Sequence, residues 1–124
     1  MYSIEANAQW VGKYNSTYIH APIKMYDEEY TAPDIVESNG WHNPESLKDM
    51  LPFIEYDLLF IDGPEGKYGR GGFLKHIDMF NVNVPIIFDD INRPGELELM
   101  EKVSKKLNRP FVILEDKVTG YMAI

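Results

Sequence analysis

Two short apolar runs that each end at an aspartate limit the folds open to this chain. Residues 56–61 run directly into Asp62, and residues 84–88 run directly into Asp89 and Asp90. Apolar runs without alternation are typical of strands that are covered on both faces of a sheet. In an open α/β sheet, ligands bind outside the carboxyl ends of the strands. The two runs therefore predict a buried sheet with acidic groups along its ligand-binding edge.

The rest of the chain alternates strands with helices. The pattern predicts further strands over residues 2–5, 17–20, 111–114 and 121–124, helices over 6–14, 43–53, 73–80 and 95–107, and a long surface loop over 24–43. This order predicts an α/β fold with a mostly parallel sheet. The last two strands are joined by a short turn, so we expect them to pair antiparallel. With 124 residues, the chain is expected to form a single domain over 1–124.

Cysteine usage and hydropathy predict the compartment. The chain contains no cysteine, which excludes a disulfide scaffold, thiolate zinc sites and cysteine nucleophiles. Its apolar runs are much shorter than a membrane span, and residues 1–5 do not resemble a signal peptide. We therefore expect a cytoplasmic protein without a membrane partner.

The charge distribution bears on nucleic-acid binding. The formal net charge is −8, and residues 1–62 carry 3 basic and 11 acidic side chains, whereas residues 63–124 carry 9 of each. A nucleic-acid binder needs a basic face that neutralises phosphates. The sequence thus predicts a small-molecule partner and no nucleic acid.

Asp62, Asp89 and Asp90 form the sharpest candidate site. Three carboxylates at the ends of neighbouring strands repel one another unless a cation offsets their charge. Oxygen ligands of this kind suit Mg²⁺, Mn²⁺ or Ca²⁺. The alternative interpretation is that Asp62 and Asp90 accept hydrogen bonds from turn amides.

Further candidates lie near the same predicted edge, each with a structural alternative. His20 ends a predicted strand and is a candidate general base, or a structural hydrogen-bonded histidine. Arg70 lies in the glycine-rich segment 63–72, where it would hold an anionic substrate or belong to ordinary turns. Arg93 would face the substrate or form a surface ion pair, and Tyr68 would stack on a ligand or pack within its loop.

Four segments, taken in order, resemble class I S-adenosylmethionine-dependent methyltransferases. They are YSIE (2–5), YIHAP (18–22), YDLLFIDGP (56–64) and IIFDDINRPG (86–95). Within that class, the three aspartates are similar to the divalent-metal site of the catechol-type and macrocin-type O-methyltransferases. The catechol type has Asn where this chain has Asp90, and the macrocin type has Asp.

The resemblance implies a Rossmann-like methyltransferase sheet with an antiparallel strand near its C-terminal end. It implies S-adenosylmethionine as cofactor, held by Glu5 at the ribose and by Asp62 and Gly63. It further implies a divalent cation, with Mg²⁺ expected, that orients and acidifies a substrate hydroxyl for methyl transfer. His20 and Arg93 are then the expected catalytic residues, and Arg70 and Tyr68 the expected substrate contacts.

The chain departs from the class at its beginning. The first strand and glycine-rich loop of the family would precede Tyr2, so the chain resembles the C-terminal part of such an enzyme, truncated at the N-terminus. That first strand normally lies between the strands that end at Glu5 and Asp62. Either the sheet closes over the gap, or an element of another copy fills it in a homodimer or swapped assembly.

Two other functions stay open at this point. A catalytically inactive α/β module that acts in assembly or interaction would explain the missing glycine loop. A nucleotide-sugar transferase would use Asp89 and Asp90 as a metal-binding acidic pair.

Overall fold

A computed structural model describes residues 1–35 and 38–124. The strands are β1 (Tyr2–Glu5), β2 (Thr17–His20), β3 (Ile23–Met25), β4 (Gly40–His42), β5 (Leu59–Ile61), β6 (Ile86–Phe88), β7 (Val112–Ile113) and β8 (Gly120–Met122), and the α-helices are α1 (Pro44–Lys48), α2 (Gly72–Lys75) and α3 (Pro94–Leu107). Two 3₁₀ helices, Leu51–Phe53 and Ile77–Met79, follow α1 and α2. The mixed α/β class predicted from the sequence is confirmed.

The first two strands pair in parallel, with Glu5 opposite His20 at their carboxyl ends. The helix predicted over residues 6–14 is wrong, because this segment forms successive turns. The side chains of Glu5 and Asn7 accept hydrogen bonds from the backbone amides two residues further on, which competes with helical bonding. Gly12 has a φ of +81°, which lies outside the right-handed helical region.

The surface loop predicted over residues 24–43 is also wrong in part. β3 and β4 form an antiparallel pair in which Ile23 lies opposite His42. Residues 36 and 37, within the predicted loop, lie outside the described residues. The pair is short, and its flanks lack the alternating pattern by which a hairpin is recognised in a sequence.

The last four strands form one sheet in the order β5-β6-β8-β7. β5 and β6 are parallel, whereas β8 runs antiparallel to both β6 and β7, as predicted for the final two strands. The guanidinium of Arg109 joins two of these strands, since it donates hydrogen bonds to the carbonyls of Val84, before β6, and of Met122, at the end of β8.

Helix α3 matches its predicted position. It begins at Pro94, where a missing N–H costs nothing, and its buried side chains recur at the spacing of one helical face. The predicted helix over 43–53 is shorter than expected. Asn43 caps α1 by accepting a hydrogen bond from the amide of Glu45, and Pro52 interrupts the helical bonding further on. The predicted helix over 73–80 is likewise divided, at His76.

The hydrophobic core lies between α3, α2 and the strands. Its largest fully buried side chains are Phe73, Phe88, Ile19, Leu47, Ile86, Leu99, Met100, Met122 and Val103. In β6, Ile86 and Phe88 are fully buried and Ile87 is partly buried, as predicted for a strand covered on both faces. In β5 that prediction is wrong for one face, because Phe60 is 56% exposed and no described helix covers it.

The strands form three small sheets rather than one continuous sheet. β1 pairs with β2 and β5 pairs with β6, and no hydrogen-bonded ladder joins β1 to β5 within the described residues. The sheet thus does not close between the strands that end at Glu5 and Asp62. Across residues 1–35 and 38–124, no helix has the length and apolar character needed to cross a membrane.

Candidate functional site

A cavity of about 510 Å³ opens where β1 and β5 end. Its walls are the end of β1 with the turns that follow, the loop after β5, and the segment after β6 that leads into α3. The lining side chains include Glu5, Asn7, Trp10, His42, Asp62, Tyr68, Arg70, Asp90 and Arg93. Ligand cavities in proteins typically have volumes of about 300–1,000 Å³, so this one would accommodate a nucleoside-sized molecule.

Asp62, Asp89 and Asp90 meet at one side of the cavity. One carboxylate oxygen from each lies within 4.8 Å of one from each of the others. The chain brings them together because β5 and β6 are parallel neighbours whose carboxyl ends stop at the same level. This edge was predicted from the two apolar runs, and the carboxylates lie there as expected.

The electrostatics of the cluster disfavour three free charges. The pKa of Asp62 is raised above its ordinary value, first by partial loss of hydration, then by a hydrogen bond with Asp89 and by the negative charges of Asp89 and Asp90. The positive charge of Arg70 opposes this shift. Asp62 therefore gains a proton more readily than an isolated aspartate. A cation placed among these oxygens would relieve the same repulsion.

Asp90 is held in a left-handed backbone conformation, with a φ of +58°. Aspartate tolerates this region better than most residues do, although the conformation still costs free energy. Two guanidinium groups hold its side chain: Oδ2 lies 2.9 Å from Nη2 of Arg70 and 3.5 Å from Nη2 of Arg93. Asp90 is thus fixed in orientation by both its backbone and its ion pairs.

Arg70 is a buried component of the site wall. Only 5% of the residue is exposed, and its guanidinium also donates hydrogen bonds to the carbonyls of Pro64, at 3.2 Å, and Asp89, at 3.1 Å. These internal acceptors occupy Nε, Nη1 and Nη2 together. Arg70 connects the loop after β5 to the loop after β6, and its predicted contact with substrate stays a prediction.

The part of the cavity wall at the ends of β1 and β4 carries hydrogen-bond acceptors. Glu5 is half-buried, and its Oε1 accepts a hydrogen bond from the amide of Asn7 at 3.0 Å. His42, at the end of β4, is 6% exposed, and its Nδ1 lies 3.0 Å from the carbonyl of Ala21. Burial lowers the pKa of His42, so the ring is neutral at pH 7.

The structure brings most of the predicted residues together. Those that line the cavity are Glu5, Asp62, Gly63, Tyr68, Arg70, Asp90 and Arg93. Asp89 completes the carboxylate cluster. His20 is not brought into the cavity: it is exposed, and its Nε2 lies 3.2 Å from the carbonyl of Ala6.

Among the lining residues that were not selected from the sequence, His42 and Trp10 carry rings that a ligand could contact. His42 was missed because residues 24–43 were interpreted as a loop, whereas recognition of β4 would have placed this histidine at a strand end. Trp10 was assigned to a helix and is instead a 45% exposed ring in the turns beside the cavity.

No family model, curated protein or solved structure significantly matches the chain.

Proposed function

We propose that this protein is an S-adenosylmethionine-dependent methyltransferase that transfers a methyl group to a hydroxyl of a small molecule with the help of a divalent cation. The observation that carries the proposal is the convergence of Asp62, Asp89 and Asp90, with one oxygen of each within 4.8 Å of the others, beside a cavity of about 510 Å³. The site lies at the carboxyl ends of parallel strands, where α/β sheets bind ligands.

The donor set fits a hard divalent cation. Carboxylate oxygens are the ligands that Mg²⁺ prefers, and that ion usually keeps several waters and takes only one or two protein carboxylates. Arg70 and Arg93 both contact Oδ2 of Asp90, and within the described chain Oδ1 of Asp90 has no partner. Asp62 and Asp89 would be the principal ligands, with Asp90 as the third.

The strand order supports a methyltransferase fold. In the methyltransferase class that the sequence resembles, an antiparallel hairpin closes the sheet at its C-terminal end, and here β8 lies antiparallel between β6 and β7. Glu5 lies at the end of β1, beside the cavity, where the resemblance assigns the acid that holds the cofactor ribose. Gly63 lines the same cavity and has open space around it, since nothing lies within 4 Å of a Cβ built there.

The proposed reaction gives each residue of the site a defined role. Methyl transfer forms a bond between the substrate oxygen and the methyl carbon, breaks the bond between that carbon and sulfur with the electron pair left on sulfur, and passes the hydroxyl proton to solvent water. A bound divalent cation supplies the Lewis acidity that lowers the pKa of that hydroxyl. The three aspartates would hold the cation, Glu5 would bind the cofactor, and Arg93, half-exposed at the cavity, would balance negative charge on the substrate side. His20 lies outside the cavity and has no role in this reaction, which we propose takes place in the cytoplasm.

The proposal is tested by calorimetric titration with S-adenosylhomocysteine, with and without Mg²⁺. Wild-type protein is expected to bind the nucleoside, and Asp89→Asn is expected to weaken Mg²⁺ binding at least about tenfold, because one charged ligand is lost. Asp57→Asn is the matched control, since Asp57 is an exposed aspartate just before β5, away from the cavity. A folded wild-type protein that binds neither S-adenosylhomocysteine nor Mg²⁺ would contradict the proposal.

One observation favours a second candidate, an α/β module that acts in assembly without catalysis. Leu58, just before β5, is 46% exposed, and Phe60, in β5, is 56% exposed. Among the described residues, β5 pairs with β6 along one edge and with no strand along the other. Concentration-dependent self-association without nucleoside or Mg²⁺ binding would support this candidate over the enzyme.

A further inference from the structure

The imidazole of His42 is buried on one side and has a defined tautomer. Its Nδ1 lies 3.0 Å from the carbonyl oxygen of Ala21, and a carbonyl oxygen can only accept a hydrogen bond. Nδ1 therefore carries the ring proton. In the neutral ring, Nε2 is then left with a lone pair and acts only as an acceptor.

Nε2 of His42 has no hydrogen-bond donor within the described chain. Among residues 1–35 and 38–124, this side chain makes one hydrogen bond, the one from Nδ1 to Ala21. Every fully buried side-chain nitrogen or oxygen in residues 1–35 and 38–124 has a partner, so Nε2 must retain some accessible surface. His42 is 94% buried, with 6% exposed, and it lines the cavity, so this accessible atom opens onto the cavity.

The surroundings define which ligand groups would satisfy Nε2. Glu5 lines the same side of the cavity, and its negative charge acts on the ring. Burial outweighs that charge and lowers the pKa of His42, which keeps the ring neutral. Two acceptors in one cavity favour a ligand that presents N–H or O–H donors, and Trp10 adds a flat aromatic surface for a planar ring.

We propose that Nε2 of His42 is a ligand-binding acceptor that takes a hydrogen bond from an uncharged N–H or O–H group of the nucleoside in this cavity. The inference rests on the proposed function, because the nucleoside in question is that of the S-adenosyl cofactor. Two of its groups have the required chemistry: the exocyclic amine of the adenine ring and the hydroxyls of the ribose.

Two substitutions separate the structural role of His42 from its binding role. In His42→Asn, the amide nitrogen falls near the position of Nδ1, so the bond to Ala21 is retained while the acceptor at Nε2 is removed. In His42→Gln, the amide oxygen falls near the position of Nε2, so the acceptor is retained while the bond to Ala21 is lost. If His42 had only a structural role, His42→Gln, which loses the bond to Ala21, would weaken ligand binding more than His42→Asn.

The experiment measures the dissociation constants of S-adenosylhomocysteine and S-inosylhomocysteine, in which an oxo group replaces the amine. His42→Asn is expected to weaken binding of the adenosyl compound about tenfold, and His42→Gln by less than about threefold, since one hydrogen bond to a neutral ligand is lost in the first only. If only the adenosyl compound is weakened by His42→Asn, the donor is the ring amine; if both compounds are weakened equally, the donor is a ribose hydroxyl.

The contrary outcomes are distinct. Tight binding of the adenosyl compound with no loss in His42→Asn would overturn this inference and leave the proposed function standing. Failure of folded wild-type protein to bind either compound would overturn both. Should the variants not fold, ¹⁵N spectra of the wild-type imidazole give the same answer. The Nε2 resonance must shift upfield on addition of S-adenosylhomocysteine, and an unmoved resonance would overturn the inference.

Discussion

Burial of His42 makes the stability of the protein depend on pH below neutrality. Burial lowers the pKa of this ring from its ordinary value of 6.5, and the hydrogen bond to Ala21 and the charge of Glu5 only partly oppose the shift. The unfolded chain therefore binds a proton at a higher pH than the folded chain. The contribution of the neutral ring to the free energy of unfolding is fully present above pH 6.5. It is lost as the pH falls from 6.5 toward the pKa of the folded state.

We expect His42→Asn to flatten this part of the pH profile. Urea unfolding of wild type and variant between pH 5 and 8 measures the effect. Other groups, including the carboxylates around Asp62, titrate in both proteins and cancel in the difference. A wild-type profile that runs parallel to that of His42→Asn would contradict a lowered pKa at this residue.

Two arginines that hold the same carboxylate should differ strongly in their contribution to stability. The side chain of Arg70 is 4% exposed, whereas that of Arg93 is 46% exposed, and both contact Oδ2 of Asp90. Arg70→Met leaves the carbonyls of Pro64 and Asp89 without this donor and Asp90 with only the exposed Arg93, and is expected to cost about 3 kcal/mol. Arg93→Met breaks a solvent-exposed pair and should cost less than about 1 kcal/mol.

Chemical denaturation of the two variants measures this difference directly. Both substitutions remove one positive charge near Asp90, so the net charge change is matched. Equal losses of unfolding free energy would show that the buried contacts of Arg70 stabilise the protein no more than the exposed ion pair of Arg93 does.

At the scale of elements, the start of α2 depends on a close approach between backbone and aromatic ring. A Cβ built on Gly72 would lie 2.0 Å from Cγ of Trp41, whose residue is 3% exposed. Gly72→Ala therefore forces α2 and β4 apart and is expected to cost about 1–3 kcal/mol of unfolding free energy.

The control for this prediction is Gly63→Ala, in the loop that precedes α2. Nothing lies within 4 Å of a Cβ built on Gly63, so we expect a change of less than about 0.5 kcal/mol. Thermal or urea unfolding compares the two variants. If Gly72→Ala were as stable as Gly63→Ala, the packing of Trp41 against α2 would not be limiting.

Sequence patterns predicted an element well where local signals agreed with the tertiary structure. Pro94 and the apolar spacing of Leu97, Met100, Val103 and Leu107 predicted α3 without reference to other segments. The same 3–4 spacing at Trp10 and Tyr14 predicted a helix that does not form. There, side-chain hydrogen bonds to the backbone and the left-handed Gly12 favour turns.

In the candidate site, the carboxylate cluster could be predicted from the sequence, whereas the places of His42 and Arg70 could not. Asp62, Asp89 and Asp90 follow apolar strands, so their meeting at one edge follows from the parallel pairing of β5 and β6. His42 was not predictable, because its place depends on the short pair β3–β4 and on the carbonyl of Ala21, which are tertiary features. The burial of Arg70 likewise arises from carbonyls in two loops that no local pattern indicates.

For the molecule as a whole, the exposed edge of β5 predicts self-association. Phe60 is 56% exposed on a strand whose second edge has no ladder in the described chain, and apolar edges of this kind pair with other chains. Phe60→Lys is therefore expected to lower the weight-average molar mass that sedimentation measures at high protein concentration.

Val112→Lys is the matched control, because Val112 is also 56% exposed and lies on β7, the strand at the other edge of the same sheet. β7 has only 2 residues, and edge strands that short pair poorly. Analytical ultracentrifugation of both variants tests the prediction, which fails if wild type is monomeric at every concentration or if the two lysines act alike.

The two tryptophans give this protein its own optical probes. Trp41 is 3% exposed and stacks on the ring of His76 at 5.4 Å, so a water-soluble quencher should hardly reach its emission. Trp10 is 45% exposed at the cavity, where the same quencher has free access. Quenched and unquenched fractions of the fluorescence thus report separately on the cavity and on the packed interior, and a ligand that covers Trp10 would change only the first.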